Sequence, residues 1–307
     1  MFIPQAYKLR DKMVMNILRW QKYAKEHCEI EDLPDVDWEP YYGSKVVRER
    51  QILLNKRGIT DERARAAENF AFMWATNSNS VPAAAWFLIE ILRDPHLSQE
   101  VQSKLHQAAQ QNSSQDPAKF NPTQAVEDPL LQSIYAETLR LRVASLVVRE
   151  AAQCTFSFRG WQVLKDKTIL VSSHTEAMNK EIWNAGPHNA HPLDKFWHSR
   201  FLIDPAVSGS GPLKEPKKQN INKAGQLAAP YFSMDGVAGS WIPYGGGRSL
   251  CPGRHFAKRQ VILTAAVFLS KFDIILRDES EPEVDMRHFG FGTMPPKHKI
   301  PCRIRRL

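Results

Sequence analysis

The stretch that most constrains this chain is Trp241-Ile-Pro-Tyr-Gly-Gly-Gly-Arg-Ser-Leu-Cys251-Pro-Gly-Arg-His-Phe-Ala257. Three consecutive glycines let the backbone take conformations closed to other residues and come close to a flat ligand. Pro252 suits the first turn of a helix. Residues 253–272 then carry Val261, Ile262, Leu263, Ala265, Val267, Phe268 and Leu269 on all sides, the pattern of a buried helix. Cys251 is therefore expected at the positive end of that helix, where amide donors and the dipole favour a thiolate. A lone cysteine in such a turn reads most simply as a structural residue. The whole string argues for a ligand.

Composition narrows the remaining choices. With 307 residues, 43% of them apolar and 24% charged, the chain can bury one large core or two modest ones. No run approaches the roughly 18 consecutive apolar residues of a membrane span, and the first residues lack the order of a signal peptide. Cys28, Cys154, Cys251 and Cys302 show no paired spacing, which argues against a disulfide framework or a zinc site and for a reducing compartment. His174, His188, His191 and His198 lie close in sequence without a recognised ligand spacing, and read as loop and surface residues. A net charge of +8 suits an acidic partner or an anionic surface. Without a recognition motif it does not make a nucleic-acid-binding protein.

Along the chain, Tyr7–Glu26 and Lys45–Leu54 read as helices, with the proline-rich, acidic stretch 31–43 as a loop between them. Gly58 ends the second helix and Thr60 is expected to start the next. That next helix, Asp61–Leu92, carries Thr76-Asn-Ser-Asn-Ser80 and Pro82 in its middle. An interior proline costs about 3 kcal/mol or more. The segment is therefore either two helices, or one long helix opened locally toward a buried site. Helix Pro129–Val143 precedes strand-like segments at Val147–Glu150, Thr155–Phe158 and Thr168–Ser172, with turn signals at Arg159-Gly160 and Lys165-Asp166. Residues 205–240 read as a surface loop, and the last thirty residues as a hairpin.

The cysteine string resembles the ligand loop of the cytochrome P450 family, and further motifs stand in that family's order. Glu137-Thr-Leu-Arg140 resembles its ExxR motif, whose spacing puts both side chains on one helix face. Phe196-Trp-His-Ser-Arg200-Phe201 resembles the segment whose arginine completes a Glu–Arg–Arg cluster, and Arg149 resembles the strand arginine that meets a haem propionate. The resemblance implies a mostly α, α+β fold, the C-terminal part of the family fold. Its features would be a long kinked distal helix, small β-sheets and a cysteine loop before a buried helix, all in a single haem-binding domain over residues 1–307. It implies haem b with Cys251 as axial thiolate and metal ligand, a push of electron density that favours O–O cleavage. Arg149, Gly245, Gly247, Arg248, Gly253 and Phe256 would surround the cofactor, Arg248 one place earlier than the usual basic residue. Glu137, Arg140 and Arg200 would form a buried structural network that holds the loop.

Asn79 and Ser80 stand where most members carry an acid followed by threonine, and are the expected catalytic positions. Followed by Val81-Pro82, this pair resembles the branch with sterol 7α-hydroxylase, sterol 12α-hydroxylase and prostacyclin synthase. Trp74, Ser145, Leu146, Val147 and Thr293 would line the substrate pocket. The implied function is monooxygenation of a lipophilic substrate such as a sterol, fatty acid or secondary metabolite. Its alternatives are an isomerase or dehydratase that needs no reductase, and an inactive truncated fragment. An NADPH-dependent flavoprotein reductase is the implied partner, steered by Arg248, Arg254, His255, Lys258 and Arg259; nucleic acid is not expected. A full-length relative would sit on the cytosolic face of the endoplasmic reticulum membrane. This chain reads as truncated at its N-terminus, without an anchor, and is expected in the cytoplasm.

Overall fold

A computed structural model of the chain describes residues 4–110, 120–215, 229–278 and 280–307. The expected loop 205–240 thus lies partly outside the described residues. The chain divides into two compact units, Met1–Asn77 and Ser78–Leu307.

In the first unit, α1 (Pro4–His27) precedes a two-residue antiparallel pair, β1 (Trp38–Glu39) with β2 (Gly43–Ser44), and then α2 (Lys45–Lys56) and α3 (Glu62–Asn77). Val14 and Ile17 of α1 bury against Ala66 of α3, and Ala24, Ile30 and Tyr42 form a second small cluster. The cap of α3 is Asp61 rather than Thr60: its carboxylate accepts from the amides of Arg63 at 2.9 Å and Ala64 at 3.3 Å. Aspartate satisfies two orphan donors of the first turn, a position where its charge also suits the helix dipole. At the far end, Thr76 Oγ1 donates to Phe72 O at 3.1 Å and Asn77 Nδ2 to Met73 O at 2.8 Å. Side chains that bond the preceding turn compete with helix propagation, and α3 stops there.

The expected long helix is interrupted at Ser78–Asn79, and α4 (Ser80–Leu92) opens the second unit. The break puts Pro82 in the first turn of α4, where its missing amide has no partner to lose. Three further helices start on the same device. Asp94, Asn121 and Asp128 each accept hydrogen bonds from first-turn amides, and a proline follows each one. They open α5 (Pro95–Gln110), α6 (Pro122–Glu127) and α7 (Pro129–Arg142).

The sheets are small. Strand β3 (Val143–Glu150) leads to the hairpin β4 (Phe156–Phe158) with β5 (Trp161–Val163), then β6 (Thr168–Ser172), the short α8 (Ser173–Ala177), and the pair β7 (Leu202–Ile203) with β8 (Tyr231–Phe232). After the cysteine loop come α9 (Arg254–Lys271), β9 (Phe272–Leu276), β10 (Phe291–Thr293) and β11 (Cys302–Arg306). β3 is central between β10 and β6, both antiparallel to it. The expected C-terminal hairpin is reduced to one antiparallel bridge, Val284 with Pro296; β10 joins β3, and β11 pairs with β9, from before the last thirty residues.

The main core joins α4, α5, α7 and α9 through Phe87, Ile91, Leu105, Leu131, Ile134, Val261, Ile262 and Leu269. A second cluster gathers Trp183, Leu193, Phe201 and Val237 against Ala136 of α7. The expectation that α9 is buried all round is corrected. Val261, Ile262, Ala265, Ala266 and Leu269 face the core, while Val267 and Phe268 are 40% and 38% exposed, and the first turns lie near the surface.

Candidate functional site

Glu137, Arg140 and Arg200 come together in the interior of the second unit, all at 2% exposure or less. Arg140 grips the carboxylate with two prongs, Nε to Oε2 at 2.7 Å and Nη2 to Oε1 at 2.9 Å. Arg200 Nε sits across both oxygens at 3.0 and 3.1 Å. Burial alone would raise the Glu137 carboxyl, but the two guanidiniums hold it below the ordinary carboxylate range. The remaining donors are used as well. Arg140 bonds Ala177 O and Leu193 O, each at 2.7 Å, and Arg200 bonds Asn184 O. The cluster thus binds α7 to α8 and to the segment 184–197.

The cysteine loop is held one step further along. On α7, the residues just before Glu137 face the loop: Tyr135 shares a hydroxyl hydrogen bond with Tyr244, and Ala136 O accepts from Trp241 Nε1 at 2.9 Å. Tyr244 O in turn accepts the Cys251 amide at 3.1 Å. Burial pushes both phenols up, with charge at Cys251 adding to it, Tyr244 to about 12 and Tyr135 further, so both stay protonated. Sequence reasoning quoted Trp241 and Tyr244 without giving them this task, and passed over Tyr135. The signal was an aromatic two places before the motif's glutamate.

Cys251 is partly exposed, two residues before Gly253, the N-cap of α9. Gly245 (φ +75) and Gly247 (φ +65) are left-handed, and a side chain built on Gly246 would meet nothing within 4 Å. The loop therefore presents bare backbone beside the thiol. A Cβ on Gly253 would lie 3.8 Å from the Cys251 sulfur. Two residues of one face of β3 reach the loop. Val147 comes within 3.9 Å of a Cβ built on Gly245, and Arg149 Nη2 donates to Gly246 O at 2.6 Å. Arg248 and Phe256 are exposed, the latter by 59%.

The basic group near the loop is smaller than its sequence suggests. Lys258 is half-buried, its ammonium bonded to Gln132 Oε1 at 2.5 Å and 5.7 Å from the Phe232 ring, and burial lowers its pKa. Arg254 bonds back to Cys251 O at 3.1 Å. Arg248 and Arg259 are left as the outward cations, with His255 also exposed.

At the start of α4, Ser80 is buried and Asn79 Oδ1 accepts the Thr293 amide at 2.8 Å. The contact is close enough that a Cβ on Gly292 (φ +123) would fall 2.1 Å from that oxygen. Pairing of β10 with β3 sets Thr293 opposite Val143 and Phe291 opposite Ser145. Asn79, Ser145, Leu146 and Thr293 thus belong to one neighbourhood, while Trp74 lies on α3 in the first unit, 64% exposed. A second buried charge network was not foreseen. Glu90 of α4 pairs with Arg142 of α7, whose guanidinium also lies 4.0 Å above the Trp86 ring and 3.6 Å from Glu281. No group of three or more metal-ligating side chains occurs among the described residues. Of the four histidines expected on loops and the surface, His188 is exposed, whereas His174, on α8, His191 and His198 are half-buried.

The family model for cytochrome P450 matches residues 45–302. The chain belongs to the cytochrome P450 family. It is 52% identical to the cytochrome P450 monooxygenase fsoE of Humicola fuscoatra, over 99% of this chain and 53% of the relative. The cytochrome P450 monooxygenase efuG of Hormonema carpetanum is 50% identical, over 98% and 54%. Cytochrome P450 7A1 of Rattus norvegicus is 28% identical, over 85% and 49%. A crystal structure of a cytochrome P450 superposes with a TM-score of 0.55 at 20% identity, covering 80% of this chain and 46% of the other, which shows the shared fold. The chain spans about half the length of the curated relatives it matches. Haem with cysteine-thiolate ligation is the cofactor of the P450 family. The residues present fit it: a thiol beside bare backbone, Leu250 and Phe256 as exposed apolar surface, and the Arg149 guanidinium at the loop.

Proposed function

We propose that this chain is the thiolate-bearing part of a P450-type monooxygenase acting on a lipophilic small molecule. The observation that carries the reading is the cysteine loop itself, with Cys251 beside bare glycine backbone and fastened to α7 through Tyr135, Ala136 and the Glu137 cluster. Haem supplies oxygen activation when bound, and a thiolate ligand favours O–O cleavage. The chain's own residues hold and surround that group. Cys251 would ligate the iron, and Arg149, whose guanidinium bonds Gly246 O, would hold a propionate. Gly245, Gly247 and Gly253 keep the approach free of side chains, and Arg248 and Phe256 flank it. Glu137, Arg140 and Arg200 act on the loop through α7. Asn79 and Ser80 would face the substrate or dioxygen, with Ser145, Leu146, Val147 and Thr293 contributing to the substrate pocket; Trp74, expected there from the sequence, belongs to the other compact unit. Cys251, Arg149, the glycines, the Glu137 cluster, Asn79 and Ser80 all lie in the unit Ser78–Leu307.

The substrate is a sterol, fatty acid or secondary metabolite; a relative from Cricetulus griseus, 28% identical over 85% of this chain, is named cholesterol 7-alpha-monooxygenase, which supports the sterol class. An NADPH-dependent flavoprotein reductase is the electron donor, docking on Arg248, His255 and Arg259. The site of action is the cytosolic face of the endoplasmic reticulum membrane. No helix among the described residues is long and apolar enough to cross a membrane.

The test is the absorption spectrum of the chain reconstituted with haem, reduced and exposed to carbon monoxide. A strongly red-shifted Soret band, lost in Cys251→Ala, is the expected result; no haem uptake would sink the proposal for this chain. One observation favours a second reading, an isomerase or dehydratase. The Asn79 oxygen is occupied by the Thr293 amide, so the position offers donor N–H groups and no carboxylate for proton relay. Turnover of a peroxide without any electron donor separates the two.

A further inference from the structure

The first unit buries polar atoms that its own residues do not satisfy, and they are all of one kind. Gln51 of α2 is 2% exposed and Asn69 of α3 is 4% exposed. Gln51 Nε2 and Asn69 Nδ2 are sealed from solvent without a hydrogen-bond partner, as are Arg50 Nε and, on α1, Gln21 Nε2. Among the described residues of this unit, every buried side-chain polar atom in that condition is a nitrogen donor. A buried donor left unpaired forfeits the cost of its desolvation. Several in one small unit call for a shared acceptor.

The contacts between α2 and α3 put these donors along one seam. Arg65 Nη2 donates to Gln51 Oε1 at 3.0 Å, and Asn69 follows Arg65 by one helical turn on the same face of α3. Beyond Asn69, Arg50 Nη2 donates to Glu68 O at 3.4 Å, and its guanidinium carbon lies 4.3 Å from the Phe72 ring. Asn69 therefore stands between the two places where α2 meets α3. Gln21 is one turn beyond Ile17, which packs in one cluster with Ala66 of α3.

The charge along the seam has one sign. Arg50 and Arg65 bond neutral oxygens, and neither forms an ion pair among the described residues. Asp11 of α1 is taken by Arg10 at 2.7 Å and lies 3.9 Å from Arg63. A water molecule can accept from such donors, but it brings two hydrogens that need acceptors of their own. An anion brings none, and the two guanidiniums supply its counter-charge. Donors inside a packed seam suit a monatomic ion.

We propose that the seam between α2 and α3 binds chloride through the side-chain amides of Gln51 and Asn69, beside the guanidiniums of Arg50 and Arg65, with Gln21 as a further donor. The proposal does not rest on haem binding and is tested on the 307-residue chain without haem. The chain is expected to broaden the chloride magnetic resonance line. Urea unfolding is then followed as chloride replaces gluconate at constant ionic strength, which separates binding from screening. Above the dissociation constant, each tenfold rise in chloride should raise the folding equilibrium constant about tenfold. Gln51→Leu and Asn69→Leu should each weaken chloride binding about tenfold or more. Gln51→Glu sets a carboxylate beside Arg65, where it takes the place of the ion. That variant should be more stable than the parent in gluconate and should no longer respond to chloride.

Equal stability of the parent in chloride and gluconate would overturn the proposal and leave water as the occupant. Unchanged chloride broadening by either leucine variant would place the ion elsewhere. A chloride response in Gln51→Glu equal to that of the parent would also sink the proposal, and this arm decides even where a leucine variant fails to fold.

Discussion

Glu137 stands between two guanidiniums at zero exposure, so its charge is both the costliest to bury and the hardest to remove. Glu137→Ala would leave two buried cations without their counter-ion. A loss of about 3–5 kcal/mol is expected in urea unfolding, and a loss below 1 kcal/mol would show that the cluster does not hold α7. The pH dependence has a definite sign. The folded carboxyl lies below its ordinary value, so its contribution is complete above the unfolded glutamate value of about 4.3 and disappears as pH falls through the folded one. The parent chain should therefore lose stability below about pH 4.3 more steeply than Glu137→Gln does. This cluster was legible because Glu137 and Arg140 are one helical turn apart and Arg200 lies in a recognisable segment. The Glu90–Arg142 pair was not, since 52 positions separate its members and neither has a local signature. Lys258 escaped for a related reason: a half-buried lysine reads like any other basic residue on a helix.

Between elements, the tie from α4 to β10 depends on the absence of a side chain. Gly292→Ala forces a left-handed backbone on alanine and drives a methyl into the Asn79 amide. The backbone conformation alone is expected to cost about 1–3 kcal/mol. Asn79→Ala leaves the buried Thr293 amide unpaired, for about 1–3 kcal/mol. Because the second change removes the atom that the first one strikes, the double variant should be less destabilised than the sum, with coupling of about 0.5–3 kcal/mol. Strict additivity in a denaturant cycle would disprove the tie. Elements of this kind were unevenly legible. The helices α1, α2, α7 and α9 lie within a few residues of where their sequences put them. α5 and α6 were missed although Asp94-Pro95 and Asn121-Pro122 are sound helix starts. The partner of β11 depends on tertiary packing, which short alternating segments do not encode.

For the molecule as a whole, haem binding and stability are linked. A ligand that binds only the folded chain raises its midpoint with the logarithm of free ligand. Added haem should raise the thermal midpoint of the parent chain progressively, and Cys251→Ala should need a higher concentration for the same rise. Equal shifts in both would remove Cys251 from the binding energetics. Composition foretold enough apolar material for a large core, and the motifs foretold where its chemistry sits. Neither foretold two compact units, nor which faces stay open to solvent, because exposure depends on contacts far apart in sequence. Those contacts also set an order of events. Asn79 meets Thr293 across 214 positions and Trp86 meets Met294 across 208. During synthesis, α4 must leave the ribosome and wait with its indole and amide hydrated until the segment that completes it arrives. Pairings of such separation form slowly. The nascent chain is therefore exposed to misfolding while the 208 positions from Trp86 to Met294 are made, and its yield should respond to chaperone supply more than to the rate at which it is made.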